Sequence, residues 1–452
     1  DINLATYYDW VTELVSITKP ARCDSSLCCE APTSMDNEAE GSFLLLGCGA
    51  NNQCNRFLLV HMKPLNLFSL IFTSLWGLVA HTDASPLPQG SWLDHGLEKA
   101  QKIAIRQAFQ RGIDEQFIPG GSLMILHKGE VILQEGFGVA DLESRKPFEA
   151  NMPCRIASLT KPHTTTTLAL LAEEGKLAFS DPVSKYLPEF KELKVRGKEG
   201  VAKPITLAMC LSHTAGFASN NQLKAGKFTL DFSETLEEVV DELASHELFY
   251  EPATSYGYGR FGYMTAARVA EVVTGKSFAT VMEETLFSAL GSTSSTFDYE
   301  SMVDRVPSAY ERTKNGLKQR TGEPIGTVIN PGGGLVASPT DIARLFLLHR
   351  NRGMVDGKRV VSESILKQMY ASQPGRGKAK YGLGFNILNQ RPDGSASRIQ
   401  HTGASGTIGI IDYDLDLIVI ILTQVPQAQT NKWRGPLLQT VFDVFETGII
   451  RS

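Results

Sequence analysis

Pro162 limits how this chain can fold more than any other residue. It lies within 159–174, a stretch whose other residues suit a helix. A helix accepts proline without cost only in its first turn, where the missing N–H has no partner to lose. The helix therefore begins close to Ser158, runs through Thr164 toward Glu174, and is ended by Gly175. Ser158 and Lys161 then sit three residues apart on one face of the opening turn, within side-chain reach. A serine hydroxyl is a poor nucleophile until a base takes its proton, and this turn carries both groups.

The lysine needs help. Its free pKa is about 10.4, so a fall of roughly 3, worth about 4 kcal/mol, is required before it acts as a base near pH 7. The positive end of a helix contributes only about 0.3–1 kcal/mol toward that. Burial and a second group must supply the rest. The Gly- and Tyr-rich stretch 252–263 is the candidate source. A tyrosine here can bridge nucleophile and leaving group and pass a proton with Lys161, and Tyr258 is the choice made among the three. Tyr256 and Tyr263 are packing residues on the same reading, although periodicity does not separate the three. A third segment, His401-Thr402-Gly403-Ala404-Ser405-Gly406, closes a strand. Its glycines let a substrate carbonyl approach the backbone. The N–H groups of Ser158 and Ala404 are expected to form an oxyanion hole, where one donor is typically worth about 2.7–4 kcal/mol. His401 and Thr402 are candidates to bind a substrate carboxylate or other polar group, with a strand-end histidine bonded to backbone as the alternative for His401.

Strands are expected at both ends of the chain. Segments 122–126 and 130–137 read as a hairpin across Lys128-Gly129, after a helix at 97–113 that Asp94 could cap. Segments 381–388, 397–401, 407–413 and 417–423 read as strands, followed by a closing helix at 437–445. Helical patterns fill the middle: a short one toward 187, then 207–212 capped by Thr206, 236–244, 262–273 and 282–290. Another, at 342–348, is announced by Ser338-Pro339-Thr340-Asp341. This order implies one antiparallel sheet shared by the two termini, with a helical insertion.

Composition excludes several function classes. The 452 residues carry a formal charge of -5 with no long single-sign run, so no nucleic-acid partner is expected. No H-E-x-x-H or clustered His/Asp set suggests a metal, and no cofactor is expected. Five of the seven cysteines (Cys23, Cys28, Cys29, Cys48, Cys54) fall in the first 54 residues without paired C-x-x-C spacing. Cys154 is expected to be a small core residue, and His213 to satisfy carbonyls at a helix end. Met62-Lys63 precedes an apolar run at 65–80 and small residues at 82–84, the shape of a signal peptide. The expected layout is a leader or over-extended start at 1–61, expected to be disordered, a signal peptide at 62–84, and a hydrolase domain at 85–452. A secreted or periplasmic mature form follows, with no stable membrane span.

The order Ser-x-x-Lys, Tyr258, His-Thr-Gly resembles the serine β-lactamase and penicillin-binding-protein superfamily, most closely its class C branch of β-lactamases, D-alanyl-D-alanine carboxypeptidases, D-aminopeptidases and family VIII carboxylesterases. Segments 205–216, 332–335 and 381–385 match as well, so the resemblance spans roughly 97–445. It implies an α+β fold, a five-stranded antiparallel sheet built from both termini with flanking helices plus a largely helical subdomain. It also implies Ser158 as the acylated nucleophile, Lys161 as its base and Tyr258 as the tyrosine of the family's Tyr-x-Asn. His401, Thr402 and Gly403 match the third motif, and Ala404 the second oxyanion donor.

Two departures stand out. His401 replaces the lysine usual in class C β-lactamases, as in peptidase and esterase relatives. Arg260 replaces the Asn of Tyr-x-Asn, which in the family touches the substrate's amide side chain. A guanidinium cannot accept a hydrogen bond. Pointing inward, Arg260 would lower the pKa of Lys161 or grip a substrate carboxylate; the third option is solvent. The expected function is a secreted serine hydrolase acting on a small ester, amide or peptide through an acyl-enzyme. Esters rank first, D-amino-acid peptides second and β-lactams third. The alternative is a non-catalytic binding protein on a penicillin-binding-protein-like scaffold.

Overall fold

The computed structural model describes residues 85–227, 229, 235–321, 329–374 and 380–447, with the backbone of two short strands farther upstream. Contacts divide the chain into Asp1–Thr82 and Asp83–Ser452. In the first unit Leu44–Cys48 pairs antiparallel with Cys54–Leu58. The remainder of 1–84 lies outside the described residues. So do the expected signal segment 62–84 and most of the expected leader.

In the second unit six strands form one antiparallel sheet. They are β1 (Gly120–His127), β2 (Glu130–Gly138), β3 (Asn386–Gln390), β4 (Ala396–Thr402), β5 (Ile408–Asp412) and β6 (Leu417–Leu422). Their spatial order is β3-β4-β5-β6-β1-β2, so β6 from the C-terminal end pairs with β1 from the N-terminal end. The implied five strands become six. The edge strand β3 begins at Asn386 rather than 381. Gly384 at φ 81° and the approach of Gly382 to the Met369 carbonyl hold the preceding residues in a bend.

Alternation along β6 explains the layers, because successive side chains in a strand point to opposite faces. Leu417, Val419 and Ile421 enter one core with Leu123 and Ile125 of β1. Ile418, Ile420 and Leu422 enter the other with Met124 and Leu126. The first face is covered by α1 (Lys99–Asp114) and the C-terminal α8 (Gln427–Thr447). The second faces the helical part of the molecule: α2 (Thr160–Glu173), α3 (Leu207–Leu211), α4 (Leu236–Ala244), α5 (Phe261–Thr274), α6 (Pro339–Arg350) and α7 (Glu363–Tyr370).

Helix ends follow local chemistry. Thr206 accepts from the Met209 N–H and Ser338 from the Asp341 N–H, as expected of N-caps. The cap of α1 is Glu98 rather than Asp94, because the Gln101 side chain reaches back to the Glu98 N–H at 2.8 Å. The last helix starts ten residues before the expected 437 and contains Pro436. Packing accounts for the override: Trp433, one turn earlier, is buried and donates its indole N–H to the Ala108 carbonyl of α1 at 3.0 Å. Among the described residues no helix is long and apolar enough to cross a membrane.

Candidate active site

Ser158 lies in a single 3-10 turn, Ala157–Leu159, that feeds α2. Pro162 is the third residue of α2, within the first turn as its chemistry demands. Ala157, just before the serine, adopts φ 47°. For a residue with a Cβ this left-handed geometry costs on the order of 1–3 kcal/mol. It is held by what surrounds it: the Ile156 N–H donates to the Leu335 carbonyl, and Thr160 Oγ1 donates to the Ala157 carbonyl at 2.7 Å.

Lys161 Nζ is 3.2 Å from Ser158 Oγ. The lysine is 2% exposed, and its pKa is pushed below the ordinary lysine value. Burial is the largest cause. A hydrogen bond and charge interaction with Tyr258 oppose the fall, and the charge of Arg260 adds to it. Nζ also donates to the Gly332 carbonyl at 2.7 Å and lies over the rings of Tyr258 and Tyr263, 4.7 and 5.2 Å from their centroids. The amine is thus fixed from three sides. In its neutral form it can donate to Gly332 and turn its lone pair to the Ser158 proton. Arg260, at the start of α5, is partly buried and close enough for its charge to act on Lys161.

The structure brings Ser158, Lys161 and Tyr258 together and sets the 403–407 turn against the backbone just before Ser158. Ser405 Oγ donates to the Arg155 carbonyl at 2.7 Å, and Thr407 Oγ1 to the Ile156 carbonyl at 2.9 Å. Gly403 is needed for this approach: a Cβ there would meet Thr407 Oγ1 at 2.1 Å and the Ile156 carbonyl oxygen at 2.2 Å. Ala404 is exposed at the turn's tip. The N–H groups of Ser158 and Ala404 have no acceptor among the described residues, the condition an oxyanion hole requires.

His401 is placed differently from a substrate ligand. It is 1% exposed, with Nε2 3.1 Å from Tyr381 Oη and Nδ1 2.9 Å from the Thr402 carbonyl. Both ring nitrogens are engaged within the protein, so the histidine supports the turn from behind, as its backbone-bonded alternative anticipated. Tyr381 Oη is 3.4 Å from Tyr263 Oη, which donates to the Leu211 carbonyl at 2.9 Å. This buried chain ties β4 to the end of α3. Thr402 remains partly exposed beside it.

Three contributors were not assigned these tasks from sequence. Gly332 supplies the carbonyl that orients Lys161, although its segment was noted. Tyr381 anchors His401. His213 does not serve helix-end carbonyls: it adopts φ 63°, its Nδ1 accepts from the Gly259 N–H at 3.4 Å, and its ring packs 4.4 Å from that of Tyr258. It also accepts the Gly257 N–H on its own carbonyl at 2.8 Å, so it shapes the loop that presents Tyr258. Its signal in the sequence is a non-glycine residue just past the C-cap Ser212, where a left-handed residue commonly follows a helix.

The family model described as Beta-lactamase matches residues 105–436. Protein flp of Staphylococcus aureus (strain NCTC 8325 / PS 47) is 26% identical over 200 residues, 44% of this chain and 39% of that protein, so the match spans about two-fifths of that relative. Among solved structures, EstCE1, a hydrolase with promiscuous acyltransferase activity, has a TM-score of 0.65 at 22% identity and covers 76% of this chain and 99% of its own. A family VIII carboxylesterase has a TM-score of 0.60 at 20% identity, covering 76% and 98%. At such identities these two likenesses are likenesses of fold. The family model covers well over half of the residues, with the Ser158, Tyr258 and His401 segments inside it, and the chain belongs to the beta-lactamase family.

Proposed function

We propose that this chain is a serine hydrolase that works through an acyl-enzyme on Ser158, with small esters as its preferred substrates. One observation carries the reading: a buried lysine of depressed pKa lies 3.2 Å from a serine hydroxyl. Lys161 takes the Ser158 proton as Oγ attacks the substrate carbonyl, forming the C–O bond. The tetrahedral oxyanion is held by the Ser158 and Ala404 N–H groups. Tyr258, bonded to Lys161, returns the proton to the leaving group as its bond to carbon breaks. Water then attacks the acyl-enzyme by the same route, releasing the acid and restoring Ser158.

Esters rank above β-lactams on this reading because Arg260 replaces, in sequence, the Asn of the family's Tyr-x-Asn. A guanidinium offers donors only and cannot accept an amide N–H. The likeness of fold to a family VIII carboxylesterase is in keeping with this ranking. The test is a side-by-side assay on a short-chain aryl ester, a D-alanyl-D-alanine peptide and a chromogenic cephalosporin. The ester is expected to show the highest kcat/KM. Preference for the cephalosporin would overturn the ranking. We further propose export of the mature form, supported by the basic, apolar and small-residue order of 62–84. Mass spectrometry of the exported protein should find its N-terminus near Ser85; an uncleaved chain retained in the cell would contradict it.

A further inference from the structure

Helix α2 carries four threonines in a row, Thr164–Thr167, all of them buried. β-branched residues lose χ1 freedom in a helix, and buried hydroxyls need partners, so the run is a poor local choice. Two of the four use the partner that a helix itself provides. Thr166 Oγ1 donates to the Pro162 carbonyl at 2.8 Å and Thr167 Oγ1 to the His163 carbonyl at 3.0 Å, each four residues back. Thr164 does otherwise. Its Oγ1 donates to the Pro331 carbonyl at 2.5 Å, 167 residues along the chain. Thr164 follows Lys161 by three residues and lies on the same face of α2.

Pro331 is followed by three glycines, Gly332–Gly334, and the Gly332 carbonyl receives Lys161 Nζ at 2.7 Å. Glycine has no single preferred φ, so local conformation does not aim that carbonyl. Bonds around the turn do. The Asn330 carbonyl accepts the N–H groups of Gly333 and Gly334 at 3.0 and 2.8 Å, and Asn330 Oδ1 accepts the Gly332 N–H at 3.1 Å. These bonds are internal to the turn: they set its shape and not its place against α2. Thr160 Oγ1 ties the far end by accepting the Leu335 N–H at 3.2 Å. Thr164 ties the peptide that joins Pro331 to Gly332. Lys161 cannot serve as that anchor, because a carbonyl held only by the amine it must aim would follow the amine. The Thr164 hydroxyl removes the circularity.

We propose that Thr164 is a positioning residue for the reaction at Ser158. Its hydroxyl fixes the Pro331 carbonyl, and through the shared turn the Gly332 carbonyl, so that Lys161 Nζ is held toward Ser158 Oγ. The expected effect on rate rests on the hydrolase reading above; the effect on Lys161 itself needs no substrate. A carbonyl binds a charged donor more strongly than a neutral one. A displaced Gly332 carbonyl therefore costs the ammonium more than the amine, and Lys161 gives up its proton more easily. It also loses its aim, so the rate falls although the free base is more abundant. The other groups acting on the lysine are Tyr258, Arg260 and the ring of Tyr263, and all three are retained when Thr164 is changed.

Isotope-edited NMR of the lysine side chains in the full chain reads the Lys161 titration directly, with Lys161→Met assigning the signal. Thr164→Val keeps the shape and removes the hydroxyl, and its Lys161 should titrate about one pH unit lower than in the wild type. Its kcat on an aryl ester should fall about tenfold, with KM changed less than about twofold. Thr164→Ser should restore both readouts. Asn330→Ala, at a half-buried position, loosens the same turn from its other side and should lower the titration too. If Thr164→Val does not fold, that variant decides, and an unmoved titration in it overturns the proposal. A Lys161 titration that does not fall in Thr164→Val overturns it as well, even where kcat drops, because the threonine is then merely structural. So does a fall that Thr164→Ser leaves in place, since the hydroxyl is then not its cause. A wild-type chain that turns over no aryl ester contradicts the hydrolase reading alone, and the titration still judges Thr164.

Discussion

Lys161 must be uncharged to accept a proton, yet its side chain is surrounded by groups that pull in both directions. Burial and the Arg260 charge favour the neutral amine, and Tyr258 favours the ammonium. Arg260→Asn removes a cation from beside the lysine, so the lysine's pKa rises. The acidic limb of the kcat/KM profile reports that base in the free enzyme and should move to higher pH in the variant. A limb that stays in place, or moves to lower pH, would show that Arg260 does not tune the lysine. The need for a partner was legible from sequence, because the pKa of a lone lysine is too high for the task. The Gly332 carbonyl was not, since a backbone acceptor 171 residues away leaves no side-chain signature. His401 was legible as a motif and ambiguous as a chemical group: only packing against Tyr381 shows that both its nitrogens are used internally.

At the scale of elements, the site is assembled where the 403–407 turn meets the start of α2. Gly403→Ala would force its Cβ into the Ile156 carbonyl and Thr407 Oγ1, so the turn must back away and take the Ala404 N–H with it. Loss of one oxyanion donor typically lowers kcat about 10²–10³-fold. That loss is expected with little change in KM, and wild-type kcat in the variant would remove Ala404 from the reaction. Strand positions were readable from alternation, and all six segments expected as strands are strands, although the edge strand β3 starts late. The helix ends were less readable. Pro436 suggested a start near 437, but burial of Trp433 against α1 outweighs the lost N–H and carries the helix back to Gln427. Sequence pattern records local preference, whereas this start is decided by a partner 325 residues away.

For the whole molecule, the sheet separates two cores, and three buried or half-buried histidines sit where charge is disfavoured. Burial pushes His163 and His127 down to about 4 and His349 to about 3, against an ordinary value of 6.5. The unfolded chain takes up these protons first, so the native state is favoured fully above about pH 6.5. That advantage is lost as pH falls toward 4. Tm is therefore expected to fall between pH 6.5 and 4, and His163→Gln or His349→Gln should flatten the fall. A Tm independent of pH over this window would contradict the placement of these rings. The central claim concerns Ser158, and intact-protein mass spectrometry after incubation with a fluorophosphonate tests it most directly. One adduct per chain is expected, located on Ser158 by peptide mapping and absent from Ser158→Ala. An unmodified wild-type chain, or a Ser158→Ala protein that still hydrolyses an aryl ester, would contradict the account.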